Sequence, residues 1–373
     1  MFNFISQLFN NYYFLTAFAF ALALAIAVVG IPAVIKVAEL KHLFDEPDDQ
    51  RKTHVRKTPT LGGVAIFAGV ILSFSLLKDL QNLTDVKFLV PALIMIFFTG
   101  IKDDILELTP IKKFLAQFVC AFLIAFLGNI KINSFYGMFG LQEMPGWVAV
   151  IFTMLVIVTI INCYNLIDGA DGLAGSQGML SAVTFGIWFV QTNHWSLAFL
   201  SFALAGSLFG FLFFNWQPAK IFMGDTGAML IGFVLSVLAI HFIELNKALT
   251  IAPEYWVHAS PSVAMGILAI PMFDMLRVFG LRLIKRKSPF HPDRTHLHHL
   301  LIDLGFSHRK LSLVLFIWSW AVIMTCSTLR DYKSSTLLFV LIGIVFVPSM
   351  VLLKIRNRKI AETQTRLDQT RYS

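Results

Sequence analysis

The stretch Asn165-Leu-Ile-Asp168-Gly-Ala-Asp171-Gly lies between two long segments without charge. The 24 residues of 144–167 and the 48 residues of 172–219 contain no Asp, Glu, Lys or Arg. An ionised side chain beside hydrocarbon is costly unless another group compensates for it. Two aspartates three apart, each followed by glycine, predict a tight turn or helix start. Its aspartates either cap the next helix or hold two carboxylates in one place.

The composition is that of a membrane protein and not of a soluble domain. Of the 373 residues, 57% are hydrophobic and 14% are charged, and the mean hydropathy is +0.73. Such a chain is an integral membrane protein with several crossings. Cys120, Cys163 and Cys326 all lie in apolar segments, so they predict packing residues and no disulfide framework. The net charge of +8 is concentrated between apolar segments, which favours membrane topology over nucleic-acid binding as its explanation.

Dividing the chain at its charges predicts an all-α integral membrane protein with about eleven transmembrane helices. Most of the apolar segments approach the ~20 residues that a helix needs to cross the hydrocarbon layer. The third has only 14 residues and is predicted to end below the membrane surface. The segments are residues 12–35, 60–77, 88–101, 114–130, 146–164, 176–191, 196–214, 226–243, 256–276, 311–329 and 335–353.

Lys and Arg are distributed unequally between the two sets of alternate connections. One set, which ends with the tail 354–373, carries 22 of the 30 basic residues, and the other set carries 6. By the positive-inside rule the richer set is cytoplasmic. We therefore expect the N-terminus outside, the C-terminus in the cytoplasm, one polytopic transmembrane domain over residues 1–353 and a solvated basic cytoplasmic tail over 354–373.

The polar residues that could carry chemistry all fall in the richer set of connections. Five aspartates and a run of histidines, predicted to lie on one side of the membrane, indicate an enclosed acidic site. Crowded carboxylates repel one another unless a cation or protons intervene. Oxygen ligands with no cysteine nearby favour Mg²⁺, with Mn²⁺ as the alternative. These residues are Asp103, Asp104, Asp168, Asp171 and Asp225, followed by His296, His298 and His299.

Each of these patterns also has a simpler interpretation. Asp103-Asp104 is typical of ordinary charge at a membrane boundary, and Gly224-Asp225-Thr-Gly227 is typical of a helix N-cap. The histidine run could bind zinc, although no cysteine or second histidine pair stands at a finger-like spacing. Asp274 and Arg277 are three residues apart, which predicts an intrahelical ion pair.

Phosphoryl transfer is the chemistry that such a site would serve best. A metal ion neutralises a pyrophosphate, carboxylates hold the metal or take a proton, and Lys, Arg and His stabilise phosphate oxygens. An acceptor that resides in the bilayer would explain why the site is built on membrane helices. A cation-coupled transporter is the alternative, but its ionisable residues should lie near the middle of the bilayer, where here there are few.

At these residues the sequence closely resembles the polyprenyl-phosphate N-acetylhexosamine-1-phosphate transferase superfamily, over roughly residues 30–310. The matching motifs are Asp103-Asp104, Asn165 to Gly172 and Gly224 to Gly227. The pattern at 293–299, Asp-Arg-Thr-His-Leu-His-His, is similar to the bacterial undecaprenyl-phosphate N-acetylglucosaminyl-1-phosphate transferase branch. Glu107 stands where the family's acidic motif often has Asp, so the resemblance implies no ligand role for it.

The resemblance implies a reaction and its partners. A sugar-1-phosphate would move from a UDP-N-acetylhexosamine to undecaprenyl phosphate in the bilayer of a bacterial inner membrane, on the cytoplasmic face, with release of UMP. The donor would be UDP-GlcNAc, and another UDP-N-acetylhexosamine or UDP-MurNAc-pentapeptide is the alternative. Direct attack of the lipid phosphate is favoured over a two-step route through an aspartyl-phosphate. The resemblance is also consistent with a homodimer.

The resemblance also implies roles for individual residues. Asp225 and Asn165 would contact Mg²⁺, and Asp103 or Asp104 would position or deprotonate the lipid phosphate. Asp168 and Asp171 would shape the nucleotide pocket, with Asp171 near the uracil. The remaining implied contacts are Lys113 and Asn215 to substrate, and Arg294, His296, His298 and His299 to the pyrophosphate or sugar.

The first connection of the richer set carries a further signal. The segment 51–57, which is rich in Lys and Arg, is followed by Thr58-Pro-Thr60-Leu-Gly-Gly at the start of an apolar segment. This pattern is typical of an anion-binding site at a helix N-terminus. The simpler interpretation is positive-inside anchoring with an N-cap. The resemblance implies that Lys57 and Thr60 meet the lipid phosphate.

Overall fold

The computed structural model describes residues 11–41, 43–45, 58–76, 87–249, 252–286, 288 and 295–372. Lys57 and Arg294, two of the expected substrate contacts, lie outside these ranges. The described chain is almost entirely helical. Its α-helices are α1 Tyr12–Leu40, α2 Gly62–Ser75, α3 Leu89–Leu106, α4 Pro110–Phe122, α5 Gly146–Ile167, α6 Leu173–Gln191, α7 Trp195–Asn215, α8 Gly224–Lys247, α9 Ser260–Ile267, α10 Ala269–Ile284, α11 Leu297–Asp303, α12 His308–Thr328, α13 Ser334–Leu341 and α14 Val347–Tyr372.

The other regular elements are short. A π-helical turn, Leu123–Leu127, extends α4, and another, Ile342–Phe346, joins α13 to α14. Two-residue strands, β1 (Phe44–Asp45) and β2 (Thr58–Pro59), pair antiparallel, with Phe44 opposite Pro59. They place the start of α2 close to the end of α1. The 3₁₀ turns are Met138–Gly140 and Pro253–Tyr255.

Each predicted apolar segment coincides largely with a helix or a pair of helices. Among the described residues, eight helical stretches are long and apolar enough to cross a membrane, which fits an all-α membrane protein. The ninth segment is divided, because α9 ends at Ile267 and α10 begins at Ala269. Pro271 explains the break, since it has no N–H to donate to the carbonyl of Ile267 and its ring crowds that carbonyl.

The third segment is longer in the structure than predicted. Helix α3 continues to Leu106, five residues beyond the predicted end at residue 101. The added turn begins with the charged residues Lys102-Asp103-Asp104 and ends with Ile105-Leu106. These side chains therefore project from the end of a helix and not from a loop.

Helix α8 lies at the centre of the bundle. In the most apolar 18-residue stretch of α8, 89% of the residues are buried. In the corresponding stretch of α1, which lies at the rim, 22% are buried. Gly63 of α2 and Gly100 of α3 allow both helices to approach its first turn, because a Cβ at either position would collide with backbone atoms of Thr226 or Gly227. This close approach brings the start of α8 beside the end of α3.

Candidate active site

Asp104, at the end of α3, caps the N-terminus of α8 from outside that helix. Its Oδ1 accepts the backbone N–H of Asp225 at 2.7 Å, and its Oδ2 accepts both the N–H and the hydroxyl of Thr226, at 3.1 and 2.5 Å. The first N–H groups of a helix need acceptors, and a carboxylate there also suits the helix dipole. Asp225 therefore lies in the first turn of α8, and Asp104 fixes its position.

Lys113 of α4 lies between two carboxylates. Its Nζ is 3.1 Å from Oδ2 of Asp225 and forms an ion pair with Asp103. Asp103 also accepts the N–H of Leu108 at 2.7 Å, and the side-chain amide of Asn165 contacts Oδ1 of Asp225. Four helices, α3, α4, α5 and α8, thus bring one lysine, one amide and two aspartates together. The sequence predicted a phosphate contact for Lys113, and the structure shows it balancing these carboxylates.

Asp168 follows directly after α5 and completes the acidic cluster. Burial raises the pKa of its carboxyl to about 8, and the negative charges of Asp225, Asp104 and Asp171 add to the effect. The part of this shift that comes from Asp225, Asp104 and Asp171 reflects the gathering of several carboxylates around Asp168. Such a site would favour a bound cation.

Asp171 contacts both the segment before α8 and the start of α12. Its carboxylate lies 3.3 Å from Nδ1 of His308 and accepts the N–H of Ala219 at 3.2 Å. Its backbone oxygen accepts the hydroxyl of Ser312 at 2.7 Å. This contact with His308 could not be predicted from the sequence, because the two residues are 137 positions apart. Asp171 therefore attaches residues 168–172, the acidic loop between α5 and α6, to the start of α12.

Asn215, at the end of α7, joins the same loop to the segment before α8. Its Oδ1 accepts the N–H of Gly172 and its Nδ2 donates to the oxygen of Ile221, each at 2.8 Å. Gly172 has φ +75°, and no side chain caps α6. The interpretation that an aspartate of this loop caps α6 is therefore wrong. Thr60, expected at the lipid phosphate, has its backbone oxygen beside Gly224.

The histidine motif lies against the acidic loop. The ring of His298 contacts Gly169, where a Cβ would lie 2.7 Å from Cε1. The rings of His296 and His298 are nearly parallel with centroids 6.0 Å apart, and His299 lies 4.2 Å from His298. Burial, with the neighbouring His299 next, lowers the pKa of His298 to about 3. His298 is therefore neutral at physiological pH. The contact between its ring and Gly169 joins the histidine motif and the acidic loop in one site.

The predicted ion pair between Asp274 and Arg277 is confirmed. The Nη2 atom of Arg277 donates to Oδ1 of Asp274 at 2.7 Å, and both residues are buried in α10. The sequence reasoning missed that Asp274 also reaches the histidine motif. Its Oδ2 lies 2.9 Å from Nδ1 of His296.

The donor set at the start of α8 fits a hard divalent cation. Among the described residues, no three His, Cys, Asp or Glu side chains form a closed metal cage. Mg²⁺ is commonly held by one or two carboxylates together with substrate phosphates, so a closed cage is not required. The carboxylate of Asp225 and the amide of Asn165 are in contact, and the amide oxygen and nitrogen of Asn are interchangeable by rotation. A cation here would also reduce the repulsion that Asp225, Asp104 and Asp171 exert on Asp168.

The fold and the site together define a polytopic helical membrane protein that gathers aspartates, one lysine and histidines at one end of its bundle. The model described as glycosyl transferase family 4 matches residues 86–243. A probable undecaprenyl-phosphate N-acetylglucosaminyl 1-phosphate transferase of Bacillus subtilis is 32% identical, over 83% of this chain and 85% of its own length. The chain belongs to glycosyl transferase family 4.

Two further relatives agree with this assignment. An undecaprenyl-phosphate alpha-N-acetylglucosaminyl 1-phosphate transferase of Escherichia coli K12 is 30% identical, over 85% of this chain and 82% of its own length. A decaprenyl-phosphate N-acetylglucosaminephosphotransferase of Mycobacterium leprae is 29% identical, over 81% of this chain and 80% of its own length. The similarity therefore extends well beyond the segment that the family model matches.

Proposed function

We propose that this protein transfers N-acetylglucosamine-1-phosphate from UDP-GlcNAc to undecaprenyl phosphate, giving the lipid-linked pyrophosphoryl sugar and UMP. The observation that carries the proposal is the joining of the acidic loop to the histidine motif through Gly169 and His298. One site thereby offers both carboxylates and nitrogen donors, which a pyrophosphate and a metal ion require together. The names of the relatives supply the transferred group, N-acetylglucosamine-1-phosphate, and the acceptor, undecaprenyl phosphate.

The proposed reaction is a single displacement. An oxygen of the lipid phosphate attacks the β-phosphorus of the donor, the bond from that phosphorus to the bridging oxygen breaks, and UMP leaves with the electron pair. Lys113 would offset negative charge near the attacking phosphate, and Asp103 and Asp104 would position it. His296, His298 and His299, with Arg294, would hold the pyrophosphate or sugar. Asp168, Asp171 and Asn215 would shape the nucleotide pocket, and Lys57 and Thr60 would meet the lipid phosphate.

Asp225 and Asn165 would hold Mg²⁺. When bound, the cation would neutralise charge on the pyrophosphate and stabilise the departing phosphate. The proposal rests on the contact between these two side chains and on the grouping of the Asp225, Asp104 and Asp171 carboxylates around Asp168. We propose further that eleven helices cross a bacterial inner membrane, with the N-terminus outside and the site and C-terminus in the cytoplasm.

Transfer of label from UDP-GlcNAc to undecaprenyl phosphate by the purified protein tests the proposal. We expect metal-dependent lipid-linked label and an equal amount of UMP with Mg²⁺, and neither product with EDTA. A panel of other UDP-sugars, UDP-MurNAc-pentapeptide included, separates the choice of donor from the reaction itself. Absence of product with every donor, from folded protein and verified acceptor, would overturn the proposed function.

The metal assignment has its own test. Asp225→Asn is expected to abolish transfer, because it removes the charge that would bind the cation, while the protein remains folded. Size-exclusion chromatography in detergent monitors folding. Asp331→Asn, at an exposed site in the 330–334 connection, is the matched control and should keep wild-type activity. Mg²⁺-dependent turnover of Asp225→Asn at the wild-type rate would remove Asp225 from the metal site.

A further inference from the structure

Asp274 makes one contact with each of three residues at the histidine motif: Arg277, His296 and Leu297. Its Oδ1 accepts Nη2 of Arg277 at 2.7 Å and the backbone N–H of Leu297 at 3.1 Å. Its Oδ2 lies 2.9 Å from Nδ1 of His296, and Nη2 of Arg277 also donates to the oxygen of Thr295 at 2.5 Å. The side chains of Asp274, Arg277 and His296 are all at least nine-tenths buried.

These contacts determine which ring nitrogen of His296 carries a proton. Both neighbours of Oδ1 are N–H donors, and the guanidinium of Arg277 compensates for a carboxylate, so Asp274 acts as an acceptor. Its Oδ2 therefore accepts a hydrogen from Nδ1 of His296. This interaction fixes the orientation of the ring, as carboxylates do for histidines in hydrolase triads.

The second ring nitrogen of His296 is left for another partner. Within the part of the chain that the structure describes, its Nε2 is buried and has no hydrogen-bond partner. A buried polar atom without a partner is costly, and in a binding site a substrate group can supply that partner. The ring is parallel to that of His298, which contacts the acidic loop at Gly169.

We infer that Asp274 is a positioning residue for the transfer reaction, and that it holds His296 so that a protonated Nε2 donates to a phosphate oxygen of the substrate. The inference rests on the proposed function. It adds Asp274, which belongs to none of the motifs that the sequence indicated as catalytic. When both ring nitrogens carry protons, both are donors, and the carboxylate of Asp274 accepts one of them. The other donor then faces the phosphates.

Asp274→Asn tests this role with little change of shape. The Asn oxygen can still accept from Arg277 and Leu297, but its NH₂ group then meets Nδ1 of His296 and cannot accept a hydrogen from it. We expect kcat to fall at least ~100-fold while KM for UDP-GlcNAc changes less than about three-fold, because the histidine loses its orienting acceptor. Asp303→Asn is the matched control, since Asp303 holds the same short helix, α11, without a contact to His296. Its kcat should fall by no more than about five-fold.

A double-mutant cycle separates positioning from general support of the fold. If Asp274 acts through His296, then Asp274→Asn together with His296→Ala should be no slower than His296→Ala alone. A structural role would instead make the two losses multiply. Multiplying losses, or equal losses in Asp274→Asn and Asp303→Asn, would overturn the inference.

Two further variants cover the case in which Asp274→Asn does not fold. Asp274→Glu keeps a carboxylate, and Asp274→Gln has a side chain of the same length as Glu but without the charge. At least ten-fold higher kcat in the Glu variant would support the inference, and equal rates in the two would contradict it. Inactivity of the wild-type protein with all donors would instead remove the proposed function, so the two failures are distinguishable.

Discussion

Gly169 is the residue at which the acidic loop meets the histidine motif. Its backbone does not require glycine, but a Cβ would lie 2.7 and 2.9 Å from Cε1 and Cδ2 of the His298 ring. We expect Gly169→Ala to displace this ring and to lower kcat about 100-fold, since small misplacements of substrate-binding groups have effects of that size. Gly146→Ala is the control, because no atom lies within 4 Å of its added Cβ. Equal activities of the two variants would show that the contact does not matter for transfer.

Asp168 gives the protein a pH dependence that can be measured without substrate. Its pKa is 3.8 in an unfolded chain and about 8 in the folded protein, so the folded state binds the additional proton between these values. The stability contributed by this proton is complete below pH 3.8 and is lost as the pH rises to about 8. In EDTA we expect the melting temperature to fall between pH 5 and pH 8.

Asp168→Asn should flatten this dependence, because an amide does not titrate. At pH 8 the variant should melt at least ~2 °C above the wild type, measured by a thermal shift in detergent. Asp331→Asn, which changes an exposed aspartate, should follow the wild-type curve. Parallel curves for the wild type and Asp168→Asn would show that Asp168 is ionised over the whole range.

At the residue scale, the sequence predicted local pairs well and distant partners poorly. Asp274 and Arg277 lie three apart on one helix, so their ion pair could be predicted from spacing alone. Asp104 and Thr226 are 122 positions apart, and their contact depends on how α3 packs against α8. The same is true of Asp171 with His308. A motif therefore indicated that Asp104 matters, but not that it caps another helix.

At the scale of elements, α14 extends beyond the apolar segment and contacts the helix that bears the histidines. Nε and Nη2 of Arg356 donate to Oδ2 of Asp303 at 2.9 and 2.7 Å, and Lys359 donates to the oxygen of Leu304 at 3.2 Å. The sequence predicted a solvated basic tail here. Residues such as Lys, Arg, Glu and Gln favour helix and allow α14 to continue, and only tertiary structure could reveal its contact with α11.

Arg356→Ala is expected to loosen α11. A partly exposed ion pair of this kind contributes about 0.5–1 kcal/mol, so kcat should fall about two- to five-fold. Arg358→Ala, at an exposed position two residues further on, should leave kcat unchanged. The exchange Arg356→Asp with Asp303→Arg should restore part of the loss. An unchanged rate in Arg356→Ala, or a loss in Arg358→Ala of the same size, would contradict a specific contact.

At the scale of the whole molecule, hydrophobic patterning predicted the helices because it is a local property, and it left their arrangement open. The central position of α8 follows from glycines on α2 and α3 that face its first turn, which apolar segments alone do not indicate. The break between α9 and α10 was likewise missed, although Pro271 was visible in the sequence. Proline is tolerated in some membrane helices, as Pro32 within α1 shows, so its presence did not require a break.

The proposed topology predicts which side of the membrane each connection faces. With eleven crossings, Gln142 in the α4–α5 connection faces outward, whereas Glu107 after α3 and Thr363 in α14 face the cytoplasm. All three are exposed, and the native Cys120, Cys163 and Cys326 are buried, so the unmodified protein is a suitable background and control. In spheroplasts, a membrane-impermeant maleimide should label Gln142→Cys at once and label Glu107→Cys and Thr363→Cys only after permeabilisation. Labelling of Glu107→Cys from outside would place the acidic site on the outer face, where no UDP-sugar from the cytoplasm could reach it. Labelling of Gln142→Cys and Thr363→Cys from the same side would instead require an even number of crossings between them and reject the eleven-helix arrangement.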